Sequence, residues 1–151
     1  MTNPIRYVTV TLQPADVRAI HALTEEMDNI LYAGEAHSHS EALALIQKRQ
    51  PDVILLAIDS LSEEDWATLR QVSELAPESK TIVLSAVYGE EPVLKAFRNG
   101  ARGYLQRGAT PPAEIVDAIR SVARGGAVLK PDSAGWILDQ ISRREGRQGS
   151  G

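Results

Sequence analysis

The run Pro51-Asp52-Val53-Ile54-Leu55-Leu56-Ala57-Ile58-Asp59 constrains the fold more than any other stretch of this 151-residue chain. It is continuously apolar, only a strand's length, and flanked on both sides by amphipathic helical pattern. Such a run reads as a strand buried on both faces, which places it at the centre of a parallel sheet covered by helices. Open parallel sheets bind their ligands outside the carboxyl ends of the strands. The position to watch is therefore Ala57, together with the matching ends of the neighbouring strands.

The rest of the chain repeats the strand-helix unit. Ile5 to Leu12 is rich in β-branched residues and reads as a first strand, ended by Gln13-Pro14, with Pro14 in the first turn of a helix. Val17, Ile20, Leu23 and Met27 recur at helical spacing, with Asp16, Arg18, Glu25 and Glu26 on the other side. Asn29 to Ala36 is a short second strand, and Ser38-His39-Ser40-Glu41 is a capping-box pattern opening a helix with Ala42, Leu43, Leu45 and Ile46. After the central strand, Ser60 or Ser62 caps a helix through Trp66, Leu69, Val72 and Leu75 that stops before Pro77. Lys80 to Ser85 is the fourth strand. Glu90 to Asn99 follows as a helix closed by Gly100, Ala101 to Leu105 is the fifth strand, and Thr110 caps a helix with Pro111 at its first position. Gly125-Gly126 ends that helix, Ala127 to Pro131 is extended, and Asp132 or Ser133 caps a last helix carrying Trp136, Ile137 and Ile141. From Ser142 onward no apolar pattern remains and a flexible tail is expected. The expected fold is α/β: a doubly wound, five-stranded parallel sheet in a three-layer sandwich, with an extra C-terminal helix. Residues 1–127 are expected as the main domain, and 128–151 as the C-terminal helix and linker tail.

Composition narrows the chemistry. With no cysteine, thiolate metal sites, disulfides and cysteine nucleophiles are ruled out. A formal net charge of -4 argues against a phosphate-binding face on the domain as a whole, so protein partners are favoured over nucleic acid. No run approaches the ~20 apolar residues of a membrane span and no signal peptide opens the chain, so no membrane contact and a cytoplasmic location are expected. No glycine-rich phosphate loop is present. His37 and His39 invite a metal reading, but solvent-facing turn residues are the preferred alternative. Ser85 has no histidine placed by motif to activate it.

Five stretches together carry a family resemblance: Pro51 to Leu56, Thr81 to Ala86, Gly100-Ala101-Arg102-Gly103-Tyr104-Leu105, Ala109-Thr110, and Gly125 to Leu129. Over residues 5 to 140 the chain resembles the receiver domain of two-component response regulators of the NarL/FixJ type, which have a CheY-like, flavodoxin-like fold. The resemblance implies an acidic pair after the first strand and a phosphoryl-accepting aspartate at the end of the third. Together these hold Mg²⁺, a hard cation that takes oxygen ligands. It further implies a hydroxyl after the fourth strand, a lysine after the fifth, and an aromatic on the fifth that reports the state.

Carried over residue by residue, the acidic pair falls on Thr11 and Leu12, the acceptor on Ala57 and the lysine on Arg107. Only Ser85 and Tyr104 match. The resemblance thus implies a degenerate phosphorylation pocket, a pseudo-receiver with no catalytic residue, no metal and no cofactor. Asp59 is the one nearby carboxylate that could serve as a shifted acceptor; a loop aspartate capping the next helix is the preferred reading. Arg107 either binds an anion in the emptied pocket or points to solvent. Arg98, Arg102, Arg107, Arg120 and Arg124, interleaved with Glu90, Glu91, Glu114 and Asp117, fall in the region where receiver domains commonly dimerise.

The expected role is a non-enzymatic, phosphorylation-independent regulatory domain acting by protein contact, most simply homodimerisation, in a transcriptional regulator. DNA would be read only by a helix-turn-helix domain beyond Gly151, so the sequence is expected to be part of a longer protein, a short natural protein being the alternative. Two alternatives are a small-molecule-sensing pocket around Thr11, Ala57, Ser85 and Arg107, and residual phosphotransfer through Asp59.

Overall fold

A computed structural model describes residues 3–11 and 15–149. Leu12, the Gln13-Pro14 turn and the Asp16 side chain lie outside the described residues, as do Ser150, Gly151 and the side chains of 145–149. The element order is β1 (Ile5–Val10), α1 (Ala15–Glu25), β2 (Ile30–Ala36), α2 (His39–Arg49), β3 (Val53–Ala57), α3 (Glu63–Leu75), β4 (Lys80–Ser85), α4 (Glu90–Arg98), β5 (Ala101–Gln106), α5 (Pro112–Ala123) and α6 (Pro131–Gly149). The five strands form one parallel sheet in the order β2-β1-β3-β4-β5, with β3 central.

The alternation of β3 splits the core in two. Ile54 and Leu56 pack with Val8, Val83, Ile46, Trp66, Leu69, Val72 and Val93, beneath α2, α3 and α4. Val53 and Leu55 pack with Tyr7, Ile82, Leu84, Val17, Ile20, Ile115 and Ile119, beneath α1 and α5. Successive strand side chains face opposite sides, so a continuous apolar run is what a strand between two helical layers needs. Each fully buried Leu or Ile contributes roughly 1.5–3 kcal/mol relative to exposure.

Local signals explain the helix starts. Ser62 caps α3 by accepting from Asp65 N–H at 3.2 Å, and Asp65 reaches back to Ser62 N–H at 3.3 Å, a full capping box. Ser38 caps α2 from Glu41 N–H at 3.2 Å, while the Glu41 carboxylate accepts from His37 N–H at 2.7 Å, one residue earlier than a capping box would have it. Three expectations are corrected. Thr110 does not cap α5: its hydroxyl donates to the Gln106 carbonyl at 2.8 Å, Pro111 is the N-cap, and Pro112 opens the helix. Neither Asp132 nor Ser133 precedes α6, which begins at Pro131. Residues 142–149, read as a tail, continue α6 as helix, because nothing between Ser142 and Gly149 is a proline that would remove the i→i−4 bonds.

Residues 127–130 run along the open edge of β5. Val128 pairs with Gly103, with Tyr104 N–H to Val128 O at 3.2 Å and Val128 N–H to Arg102 O at 3.0 Å. The edge is thereby covered at its middle, and the chain is delivered to α6, which packs against α4.

Candidate functional site

At the carboxyl end of the sheet lies a cleft of ≈ 390 Å³, lined among others by Thr11, His37, His39, Ala57, Asp59, Glu64, Thr68 and Arg107. Parallel pairing aligns these ends. Ile58 N–H donates to Leu84 O at 3.0 Å, and Arg107 N–H to Ser85 O at 2.8 Å, which sets the residues after β3, β4 and β5 side by side. Thr11 is 2% exposed, its N–H bonded to Ala36 O at 3.0 Å and its carbonyl 3.2 Å from His37 Nδ1.

Asp59 meets Arg107 here. Arg107 Nη2 stands 2.5 Å from Asp59 Oδ2, and Asp59 Oδ1 accepts from Ala86 N–H at 3.4 Å. Asp59 therefore does not cap α3, which Ser62 does, and Arg107 has a carboxylate of its own chain as partner. The capping expectation for Asp59 and the solvent-facing alternative for Arg107 fail for the same reason: an aspartate two residues past β3 lies within reach of an arginine just past β5, and sequence separation conceals that proximity.

Ser85 and Tyr104 sit deeper. Ser85 is fully buried and does not line the cleft; its Oγ accepts from Val87 N–H at 3.1 Å. Tyr104 is buried, and its hydroxyl donates to Val87 O at 2.5 Å. Burial pushes the Tyr104 phenol pKa upward, with a Ser85 hydrogen bond acting the other way. The expected pocket of Thr11, Ala57, Ser85 and Arg107 is thus divided: Thr11, Ala57 and Arg107 share the cleft, whereas Ser85 belongs with Tyr104 beneath the loop after β4.

The donor set does not fit magnesium. Ala57 and Thr11 offer no carboxylate and Leu12 has no oxygen in its side chain, so none of the positions that the resemblance assigns to the metal supplies one, and the nearest carboxylate, Asp59, is engaged by a guanidinium. Among the described residues, no group of three or more His, Cys, Asp or Glu side chains converges in a way that could hold a metal ion. His37 Nε2 lies 3.5 Å from Glu35 Oε2. His39 is not a simple turn residue: its Nδ1 is bonded to the Thr68 hydroxyl, which donates to Glu64 O at 2.8 Å, tying α2 to α3.

The residues expected to form a dimer face divide between different neighbours. Arg98 donates to Gln140 of α6 at 3.2 Å, whereas Arg120 bonds Asp117 at 3.2 Å and lies 3.3 Å from Met27 Sδ at the end of α1. Arg102 is on β5, Arg124 follows α5 and Glu90 opens α4. Arg120 and Asp117, both expected on that face, bond each other within a single chain.

Sequence reasoning missed Tyr88. Its hydroxyl donates to Asp132 Oδ1 at 2.7 Å and contacts Ser133 Oγ, and its ring lies 4.3 Å below the Lys130 ammonium. An aromatic in a short loop three residues past Ser85 was the only available signal.

No family model matches the chain. It is 29% identical over 141 residues to the transcriptional regulatory protein YxjL of Bacillus subtilis, covering 93% of this chain and 64% of that one. It is 30% identical over 120 residues to the transcriptional regulatory protein LiaR of the same organism, covering 80% and 56%. The chain thus spans less than two thirds of the length of these relatives. Among solved structures it is similar to a LuxR-family two-component response regulator from Aurantimonas sp. SI85-9A1 (TM-score 0.78, 24% identity, 93% of this chain and 99% of that one). It is also similar to the signal receiver domain of NarL from Mycobacterium tuberculosis (TM-score 0.73, 25% identity, 82% and 99%).

Proposed function

The chain is a receiver domain related to NarL/LuxR-type response regulators, and from that premise we propose that it works without phosphorylation, as a regulatory module acting through protein contact. One observation carries the reading. Where the resemblance calls for a phosphoryl-accepting aspartate, the end of β3 presents Ala57, and the nearest carboxylate, Asp59, is already paired with Arg107. A methyl side chain offers no oxygen to a phosphoryl donor. Among charged groups close to the site, a fixed Asp–Arg pair stands where a transient phosphate and its lysine would meet.

The contact proposed is homodimerisation, with Arg98, Arg102, Arg120, Arg124, Glu90 and Asp117 available to a two-fold interface. In the parent protein the output is transcription control in the cytoplasm, with DNA read by a helix-turn-helix unit outside this chain. Residues 1–127 are the receiver-like unit in this proposal, and 128–151 form the connection. Among the described residues, no helix is long and apolar enough to cross a membrane.

The test is intact mass and sedimentation of the purified protein, with and without magnesium and acetyl phosphate, over a wide concentration range. No adduct together with a reversible dimer is the expected result. A phosphoryl adduct on Asp59 would overturn the reading and restore an enzyme-like switch.

A second reading is favoured by the cleft itself. Its ≈ 390 Å³, with Val10, Leu56 and Ala57 beside Thr11, His37 and Arg107, matches the size and mixed lining of a small-ligand site. A thermal-shift screen with metabolites tests it: a saturable shift abolished by Ala57→Phe supports sensing, and no shift removes it.

A further inference from the structure

We infer that the carboxyl-end cleft takes a small uncharged or cationic molecule with an apolar body and an N–H or O–H donor, and that His39 Nε2 accepts that donor. The inference deepens the small-ligand reading of the cleft and rests on it.

Both histidines that line the cleft are held through Nδ1, and their partners fix which ring nitrogen carries the proton. Thr68 has one hydroxyl proton and gives it to the Glu64 carbonyl at 2.8 Å. Toward His39 the same oxygen can only accept, so the His39 proton sits on Nδ1. In the neutral ring Nε2 is then a lone-pair acceptor. Thr68 is 5% exposed and its hydroxyl is tied into α3, which sets the His39 ring in place. His37 obeys the same rule, because its Nδ1 lies 3.2 Å from the Thr11 carbonyl, which cannot donate. Its Nε2, however, is 3.5 Å from Glu35 Oε2 on β2. Of the two rings, His39 is thus the one placed to receive a donor from the cleft.

The rest of the wall restricts the ligand's charge and body. Asp59, Glu64 and Asp65 line the cleft against one guanidinium, that of Arg107. A phosphate or carboxylate entering there meets an excess of negative charge, which disfavours an anionic ligand. Val10, Leu56, Ala57 and Ile58 supply an apolar side. Ala57 belongs to it because a methyl group stands where the resemblance calls for a carboxylate. At ≈ 390 Å³ the cleft is near the small end of ligand sites, which suits one or two fused rings.

The experiment uses two probes of nearly one shape. Indole offers an N–H donor on an apolar body, and N-methylindole keeps the rings without the donor. Each is titrated into the ¹⁵N-labelled chain at about pH 8, above the ordinary histidine pKa, and followed at the backbone amides of His39, Ala57, Ile58 and Thr68. Histidine ¹⁵N spectra of the free protein read the tautomer separately. His39 is expected to carry its proton on Nδ1, and indole to shift the cleft amides saturably. Indole should bind about five-fold tighter than N-methylindole, the size that one hydrogen bond implies. Thr68→Val removes the acceptor that holds Nδ1–H, and there the difference between the probes should collapse while amides of β4 and α5 keep their positions. A proton on His39 Nε2 in the free protein would overturn the acceptor assignment. Equal affinity of the two probes for the unsubstituted chain would overturn the inference and leave the cleft a small-ligand site of other chemistry. Cleft amides that neither probe shifts at millimolar concentration would also overturn it, whereas the metabolite screen decides the small-ligand reading on its own.

Discussion

Arg107 and Asp59, 48 residues apart in sequence, meet at 2.5 Å across the carboxyl ends of β5 and β3, with side chains 22% and 42% exposed. That exposure sets the size of the effect. A pair so open to water is screened, and its contribution is expected at roughly 1 kcal/mol or less. Asp59→Asn should therefore lower the urea midpoint slightly, and the loss should shrink when salt is raised from low to about 1 M. Urea unfolding at both ionic strengths checks it; a large, salt-insensitive loss would mean that the pair is effectively buried.

Restoring the acceptor alone should not restore the reaction. Ala57→Asp puts a carboxylate at the end of β3, but Thr11 and Leu12 still supply no second or third one for magnesium. With acetyl phosphate and magnesium, the intact mass of Ala57→Asp is expected to stay unmodified, whereas the triple variant with aspartates at positions 11 and 12 as well is expected to gain a phosphoryl adduct. An adduct on Ala57→Asp alone would show that the site needs less metal ligation than its donor set implies.

The architecture was legible because it depends on pattern. Apolar runs such as Ile54 to Leu56 and helical spacings such as Leu69 to Val72 are local, and their order alone dictates a parallel sheet with helices on both faces. The start of α3 was legible only as a choice between Ser60 and Ser62, which Ser62 settles. The site was legible only as a set of departures at Thr11, Leu12, Ala57 and Arg107. What the remaining side chains do there was not, because it depends on groups brought together across strands: Asp59 with Arg107, His39 with Thr68, and Tyr88 with Asp132. Local pattern carries no record of such pairs. The end of α6 was missed for a different reason, since a polar, arginine-rich stretch lacks the apolar face by which a helix announces itself.

His21 should make the domain sensitive to mild acid. Its Nδ1 is 2.8 Å from the Tyr7 hydroxyl, its ring lies against Tyr32 at 3.8 Å between centroids, and among the described residues its buried Nε2 has no hydrogen-bond partner, nor has buried Glu35 Oε1 on the neighbouring strand. Burial lowers the His21 pKa below 6.5, with Glu35 and Glu25 acting the other way. In the unfolded chain the ring takes its proton near 6.5, so between that value and the lower folded one the unfolded state binds more protons. Stability is therefore present above about pH 6.5 and is lost as pH falls below it, by at most about 1.4 kcal/mol per unit. His21→Gln should flatten the pH dependence of the urea midpoint between pH 7.5 and 5.5. An unchanged slope would place the acid sensitivity elsewhere. Tyr7, whose burial lifts its pKa to about 12, stays neutral throughout and contributes nothing to it.

Gly100 should tolerate no side chain, and the reason can be separated into two parts. It follows α4 with φ at +107°, a conformation that L residues rarely adopt, and a Cβ there would stand 2.3 Å from Ser73 Oγ and 2.8 Å from Ser73 Cβ. Ser73 has little room to yield, because its hydroxyl bonds Leu69 O at 2.9 Å and Asn99 O at 3.3 Å, joining α3 to the end of α4. Backbone strain accounts for about 1–3 kcal/mol, and displacing Ser73 adds to it, so Gly100→Ala is expected to cost about 2–4 kcal/mol in total. In a Ser73→Gly background the steric part vanishes and the strain remains. The cost of Gly100→Ala, measured by urea unfolding, should then fall by about 1 kcal/mol or more. An identical cost in both backgrounds would assign the whole effect to the left-handed backbone and none to the contact between α3 and the start of β5.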